Sequence, residues 1–243
     1  MKGYFFLGLA IGIGMLGCST PQAKRQTLAA PEIVRPDKVL QVGFLVMDGV
    51  YNTELTAPMD IFHHTIFHDS LGMEVFTIAK DSGLIRTFEG LQFLADYSYR
   101  RDDYPKIDVL VVPSAEHHLD TDLEDEEMLA FVRKTAQQAS YVLSLCDGAF
   151  VLAEAGLLDK SVSTTFPSDI PAYKKRFPQL EVLSDLLFVH DGKYLTSAGG
   201  AKSFEPAMYL VEHLYGQKAA QGVGRGMVID WDLTQVPHQI IKP

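Results

Sequence analysis

The stretch SYVLSLCDGAFVLAEAGLL (residues 140–158) decides the fold. Tyr141, Val142, Leu143 and Leu145 form an apolar, β-favouring run that leads directly into Cys146-Asp147-Gly148. Beyond the turn, Val151, Leu152, Ala155 and Leu158 recur at helical spacing. The stretch therefore predicts a buried strand, a sharp turn carrying a cysteine, and a helix that starts at once. A thiol at that turn faces the positive end of a helix dipole, which favours the thiolate, so a lowered Cys146 pKa is expected.

Working outward, residues 39–46 (VLQVGFLV) predict a strand, Met47-Asp48-Gly49 a turn, and Pro58 the first turn of a helix with Met59, Ile61, Phe62 and Ile66 on its apolar side. Glu54 then falls in the loop between them, at the strand edge where open α/β sheets bind ligands. Residues 74–79 alternate as a second strand, residues 84–95 with Gly90 predict a hairpin, and residues 108–113 a third core strand followed by the polar loop Ser114-Ala115-Glu116-His117-His118. The acidic run 120–127 reads as carboxylates at a helix N-terminus in preference to a metal site. Residues 167–177 predict a helix, 186–196 a hairpin, and 203–214 a further helix; the segment 230–243 has no clear pattern. Strands alternating with helices in one domain imply a mostly parallel sheet with helices on both faces.

The N-terminus predicts a different role. Lys2 and a twelve-residue apolar run ending at Met15 are too short to span a bilayer and read as a secretory signal. Met15-Leu16-Gly17-Cys18 resembles a bacterial lipobox, which implies cleavage after residue 17 and a lipid on Cys18, with Ser19 favouring the outer membrane and a periplasmic facing. Residues 18–37 are then the lipidated cysteine and a flexible tether, and residues 38–243 a single domain. The chain carries a net charge of −10, and loss of Lys2 would make it −11. With no basic cluster, nothing points to nucleic acid, and membrane contact is expected through the lipid alone. With Cys18 lipidated, Cys146 is the one thiol left, and a single thiol cannot form an internal disulfide in an oxidising compartment.

ELTAP (54–58), CDGAFVLAEAGLLDK (146–160), STTFPSDIPAYKKRFPQLEV (163–182) and DGKYLTSAGGAKSFEPAMYLVEHL (191–214) together resemble the ThiJ/PfpI superfamily. The likeness is greatest to its isonitrile hydratase branch and to the ligand-sensing domains of AraC-type regulators. The resemblance implies a flavodoxin-like fold, related to class I glutamine amidotransferases, with Cys146 on a nucleophile elbow and, as in many relatives, a homodimer. It implies no cofactor and no metal. Glu54 matches the acidic partner of the cysteine, commonly an aspartate, and the backbone N–H groups of Ala115 and Asp147 match donors to a developing oxyanion. Asp147 stands where a small residue is usual, Pro113-Ser114-Ala115 where Pro-Gly-Gly is usual, and Glu205 where aspartate is common. Thr164-Thr165-Phe166 replaces Thr-Thr-His, so Thr165 and Phe166 would line the site without the histidine. His117 and His118 are the candidates to replace it.

Two functions follow from these residues. In the first, the protein is a cysteine-dependent hydrolase or lyase acting on a small electrophile, with isonitrile hydration the nearest named chemistry; Cys146 attacks and Glu54 handles the proton. Two touching anions oppose each other, so Glu54 must be protonated when Cys146 is ionised, and its pKa is expected to be raised. In the second, it is a non-catalytic small-molecule-binding or redox-sensing domain, related to regulator sensor domains but lacking a DNA-binding segment.

Overall fold

The computed structural model describes residues 35–243. The segments expected to form a signal peptide, a lipobox with Cys18 and most of a tether lie outside the described residues. Among those described, no helix is long and apolar enough to cross a membrane.

Among the described residues, twelve strands and six α-helices follow one another: β1 (Leu40–Leu45), α1 (Asn52–His63), β2 (Met73–Ala79), β3 (Leu84–Arg86), β4 (Gln92–Leu94), β5 (Tyr97–Ser98), β6 (Val109–Val112), α2 (Glu126–Gln138), β7 (Tyr141–Leu145), α3 (Gly148–Glu154), β8 (Val162–Ser163), α4 (Ile170–Arg176), β9 (Glu181–Val182), β10 (Phe188–Asp191), β11 (Tyr194–Ser197), α5 (Phe204–Tyr215), α6 (Gln217–Gly226) and β12 (His238–Lys242). Eight of the strands form one sheet in the order β12-β10-β11-β7-β6-β1-β2-β5. From β11 to β5 every neighbouring pair is parallel; β10 runs antiparallel to β11 and carries β12 parallel to itself.

Alternation along the strands divides the core between two faces. Val42, Phe44, Val109, Val111, Leu143 and Leu145 pack with α1, α5 and α6. Leu110, Val112 and Val142 pack on the opposite face with α2, α3 and α4. Each central strand is thus buried on both sides, which explains its unbroken apolar composition. The arrangement is an α/β fold with a mostly parallel sheet between helices, as the strand and helix alternation predicts, and it is of the flavodoxin-like type that the family resemblance implies.

Asp125 caps α2, its carboxylate accepting from the N–H groups of Glu127 and Met128 (both 3.1 Å), so the acidic run serves a helix start. The patternless C-terminal segment adds β12 to the sheet edge, and its buried Trp231 donates from Nε1 to Glu212 Oε2. The start of α1 differs from expectation. Tyr51 is extended (φ −79°, ψ 130°) and the helix begins at Asn52, which places Pro58 inside it and Glu54 in its first turn instead of in a loop. The fixed φ of proline is compatible with helix, and Pro58 is buried against the core, so it does not set the boundary.

Candidate active site

Four loops meet at the C-terminal edge of the sheet. They follow β1, β6, β7 and β11, and they flank the point at which the chain, having placed β2 on one side of β1, returns to place β6 on the other. Such a switch point leaves a crevice between diverging loops.

Cys146 stands at the end of β7 with φ +51°, a left-handed conformation that costs a non-glycine residue on the order of 1–3 kcal/mol. Its N–H donates to the Ser197 carbonyl (3.0 Å) and its carbonyl accepts from Thr165 Oγ1 (3.0 Å), so both sides of the strained residue are held. Gly199, also at positive φ (+68°), lies against it: a Cβ there would come within 2.5 Å of the Cys146 Cβ and N. The thiol is buried, as are Glu54 and Asp147.

Glu54 is fixed at both oxygens. The Ser114 N–H donates to Oε2 and the Gly200 N–H to Oε1, each at 2.9 Å. Burial raises its pKa; those two amides and the nearby Cys146 thiol oppose the rise without cancelling it. A carboxyl so placed holds a proton more readily than a free one, as a role beside a thiol requires.

The Cys146 thiol corrects the expectation drawn from the elbow. Burial pushes its pKa up, and the negative charges of Glu54 and Asp147 push it further, against the smaller opposing effects of the Asp147 N–H and the Ser114 hydroxyl. The helix behind it, α3, has seven residues, too little dipole to outweigh burial beside two carboxylates. Thiol and Glu54 therefore form a coupled pair: the thiolate gains population when its proton passes to the neighbouring carboxylate.

Asp147 is the second carboxylate, with Oδ2 3.6 Å from Cys146 Sγ and Oδ1 3.3 Å from Thr165 Oγ1. Burial first and Asp169 second raise its pKa to about 7. Ionised Asp147 opposes the thiolate. Asp147→Asn should therefore speed iodoacetamide labelling of Cys146 above pH 7, leave it unchanged well below, and remove an inflection near pH 7. Stability carries the same sign. A carboxyl whose folded pKa is raised contributes stability below its unfolded pKa and loses it as pH rises through about 7, so the Asn variant should melt higher than the parent at pH 8. Equal labelling rates at pH 8 would contradict this role.

Neither histidine replaces the missing one. His117 is exposed and pairs with Asp120 Oδ1 at 3.4 Å. His118 is buried, but its Nδ1 accepts from the Ala115 N–H (3.2 Å) and its Nε2 faces Met47 Sδ (3.3 Å). Burial lowers its pKa to about 3, so it is neutral and structural. The same bond occupies the Ala115 N–H, which is thus not a free oxyanion donor. Of the two backbone donors expected, Asp147 remains at the sulfur. Thr165 is buried and braces the elbow, while the Phe166 ring lies beside Gly200 and is 37% exposed at the mouth. Glu205 pairs with Lys202 (2.8 Å) instead of entering the site.

Two features escaped the sequence reading. Ser114 reads from the sequence only as a missing glycine, yet its buried hydroxyl has no hydrogen-bond partner among the described residues and acts on the thiol. Gly199-Gly200 supplies both the close approach to Cys146 and an amide to Glu54. Adjacent glycines after a strand are the local signal from which they could be found. Among the described residues there is no cluster of three or more His, Cys, Asp or Glu side chains able to hold a metal.

Comparison with known proteins agrees with this geometry. The model of the DJ-1/PfpI family matches residues 40–213. Isonitrile hydratase from Pseudomonas putida is 33% identical over 184 residues, 75% of each chain. The HTH-type transcriptional regulator CdhR from Pseudomonas aeruginosa is 27% identical over 204 residues, which cover 84% of this chain and 57% of the regulator. A crystal structure of an AraC family transcriptional regulator from Pseudomonas putida superposes with a TM-score of 0.68 at 22% identity, covering 77% of this chain and 99% of that one.

Proposed function

The chain belongs to the DJ-1/PfpI family, and on that premise we propose that it is a cysteine-dependent hydrolase or lyase acting on a small electrophile, with isonitrile hydration the nearest chemistry. The observation that carries the reading is the buried Glu54 carboxyl, pinned by the amides of two separate loops at the same site as a buried thiol on a strained elbow. A structural cysteine needs neither the strain nor the buried acid.

For an isonitrile, the Cys146 sulfur bonds to the terminal carbon while its proton passes to Glu54 and then to that carbon, giving a thioimidate. Water, giving its proton to Glu54, then adds at the same carbon. The C–S bond breaks, the nitrogen takes up a proton, and a formamide and the free thiol result. Nothing is oxidised or reduced, so no cofactor is required. The Asp147 N–H and the Ser114 hydroxyl stabilise the sulfur when it carries charge and when it departs.

The second reading, a ligand-binding domain without turnover, is favoured by the Ala115 N–H already committed to His118. The similarity to a transcriptional regulator fits either function. A panel of isonitriles, α-oxoaldehydes and thioesters separates them: the catalytic reading expects turnover of at least one class, reduced about 10³-fold or more by Cys146→Ser. Absence of Cys146-dependent turnover across the panel would support the binding reading.

A further inference from the structure

A second concavity lies away from Cys146, between the start of α5 and the segment that runs from α6 towards β12. Its volume is about 590 Å³, within the range of about 300–1,000 Å³ that small-molecule sites occupy. Phe204, Glu205 and Met208, on one face of α5, form one wall, and Met227, Ile229 and Trp231 form the other.

The second wall is fixed in place. Trp231 is buried, and its Nε1 donates to Glu212 Oε2 on α5. The Ile229 N–H donates to the Gly224 carbonyl near the end of α6 (2.8 Å). The turn between them holds Val228 at φ +59°, a rare conformation for a β-branched residue, with its side chain exposed at the rim. Such a conformation persists only where the surroundings impose it.

Glu205 gives the cavity its chemistry. Its side chain is 19% exposed and lines the cavity. Oε1 accepts from Lys202 Nζ (2.8 Å), whereas Oε2 is covered and has no hydrogen-bond partner among the described residues. Asp230 and Asp232 line the cavity too, so three carboxylates stand against one lysine, and that lysine is already engaged. A carboxylate oxygen without a donor is costly, and a small turn about the soft terminal torsion of the side chain brings it to a ligand N–H. Water donates to such an oxygen as well, but leaves the apolar side chains of both walls hydrated. An ammonium on an apolar body meets both demands.

We propose that this cavity binds a small organic cation, a primary ammonium with an aliphatic or aromatic body, whose N–H donates to Glu205 while the body packs between Phe204, Met208, Met227 and Trp231. The proposal does not depend on turnover at Cys146.

Isothermal titration of the full chain with 2-phenylethylammonium at pH 7 tests it. Binding is expected, weaker by about tenfold or more for the N,N,N-trimethyl analogue, which keeps the charge but has no N–H. Phenylacetate, with the opposite charge, should give no measurable binding. Glu205→Gln should weaken binding of the primary ammonium by about tenfold or more, and Asp230→Asn, a change at an exposed residue, by about two- to threefold. A thermal melt shows that both variants are folded. Absence of binding at about 10 mM, the weakest dissociation constant expected of so small a ligand in a formed site, overturns the proposal. Equal binding of phenylacetate, or unchanged affinity in Glu205→Gln, does the same. Affinity lost in Glu54→Gln but kept in Glu205→Gln would place the amine beside the thiol and also overturn it.

Discussion

Glu54→Gln should lower Cys146-dependent turnover by about 10²–10⁴-fold and destabilise the fold as well. The carboxyl accepts one backbone N–H at each oxygen, from Ser114 and from Gly200. An amide offers one acceptor and presents an N–H₂ to the other donor. One loop must therefore release its bond, leaving a buried N–H unpaired at a cost of about 1–3 kcal/mol. The acceptor for the thiol proton is lost in the same step. Steady-state rates and a thermal melt on one sample check both effects. A variant that melts normally and keeps its turnover would show that Glu54 is neither anchor nor base. Glu54→Asp is the informative companion: it keeps the charge but withdraws it by one methylene from two fixed amides, so partial activity with reduced stability is expected.

The largest structural effect is expected at Gly148, the first residue of α3. A Cβ there would sit 2.1 Å from the Val112 carbonyl oxygen and 3.0 Å from its carbonyl carbon. Both are backbone atoms at the end of a central strand, so no rotamer change relieves the clash, and either β6 or the elbow must move. Gly148→Ala should cost on the order of 4 kcal/mol or more, which for a domain of this size lowers Tm by roughly 8–16 °C. Gly226, with open space around its Cβ position, is the control, and Gly226→Ala should leave Tm nearly unchanged. A Gly148→Ala protein that melts with the parent would mean that α3 does not approach β6 as closely as this structure places it.

The two sites also show what could be read from the chain. The elbow was legible because strand, turn and helix are contiguous, and the change of period from two to 3.6 falls at Cys146. Glu54 was found through its motif, but its position in the first turn of α1 was obscured because Pro58 is locally ambiguous: proline starts helices, and it can also be held inside one by burial. What stayed hidden is long-range. The Gly200 amide lies 146 residues from the carboxylate that it holds, and no periodicity reports such a bond. His118 was a candidate by residue type, whereas its burial and its bond to Ala115 depend on how the β6 loop folds back. The Cys146 pKa failed for a related reason: the helix dipole can be read locally, but the burial and the two carboxylates that overcome it are tertiary.

The central claim is that Cys146 carries the substrate covalently while Glu54 manages its proton. The most direct measurement is peptide mapping by mass spectrometry after rapid acid quench, with whichever electrophile of the panel is turned over. The account predicts a substrate adduct on the peptide containing Cys146 in the parent protein and none in Cys146→Ser. Product formation that persists in Cys146→Ser, with no adduct on the parent, would contradict it.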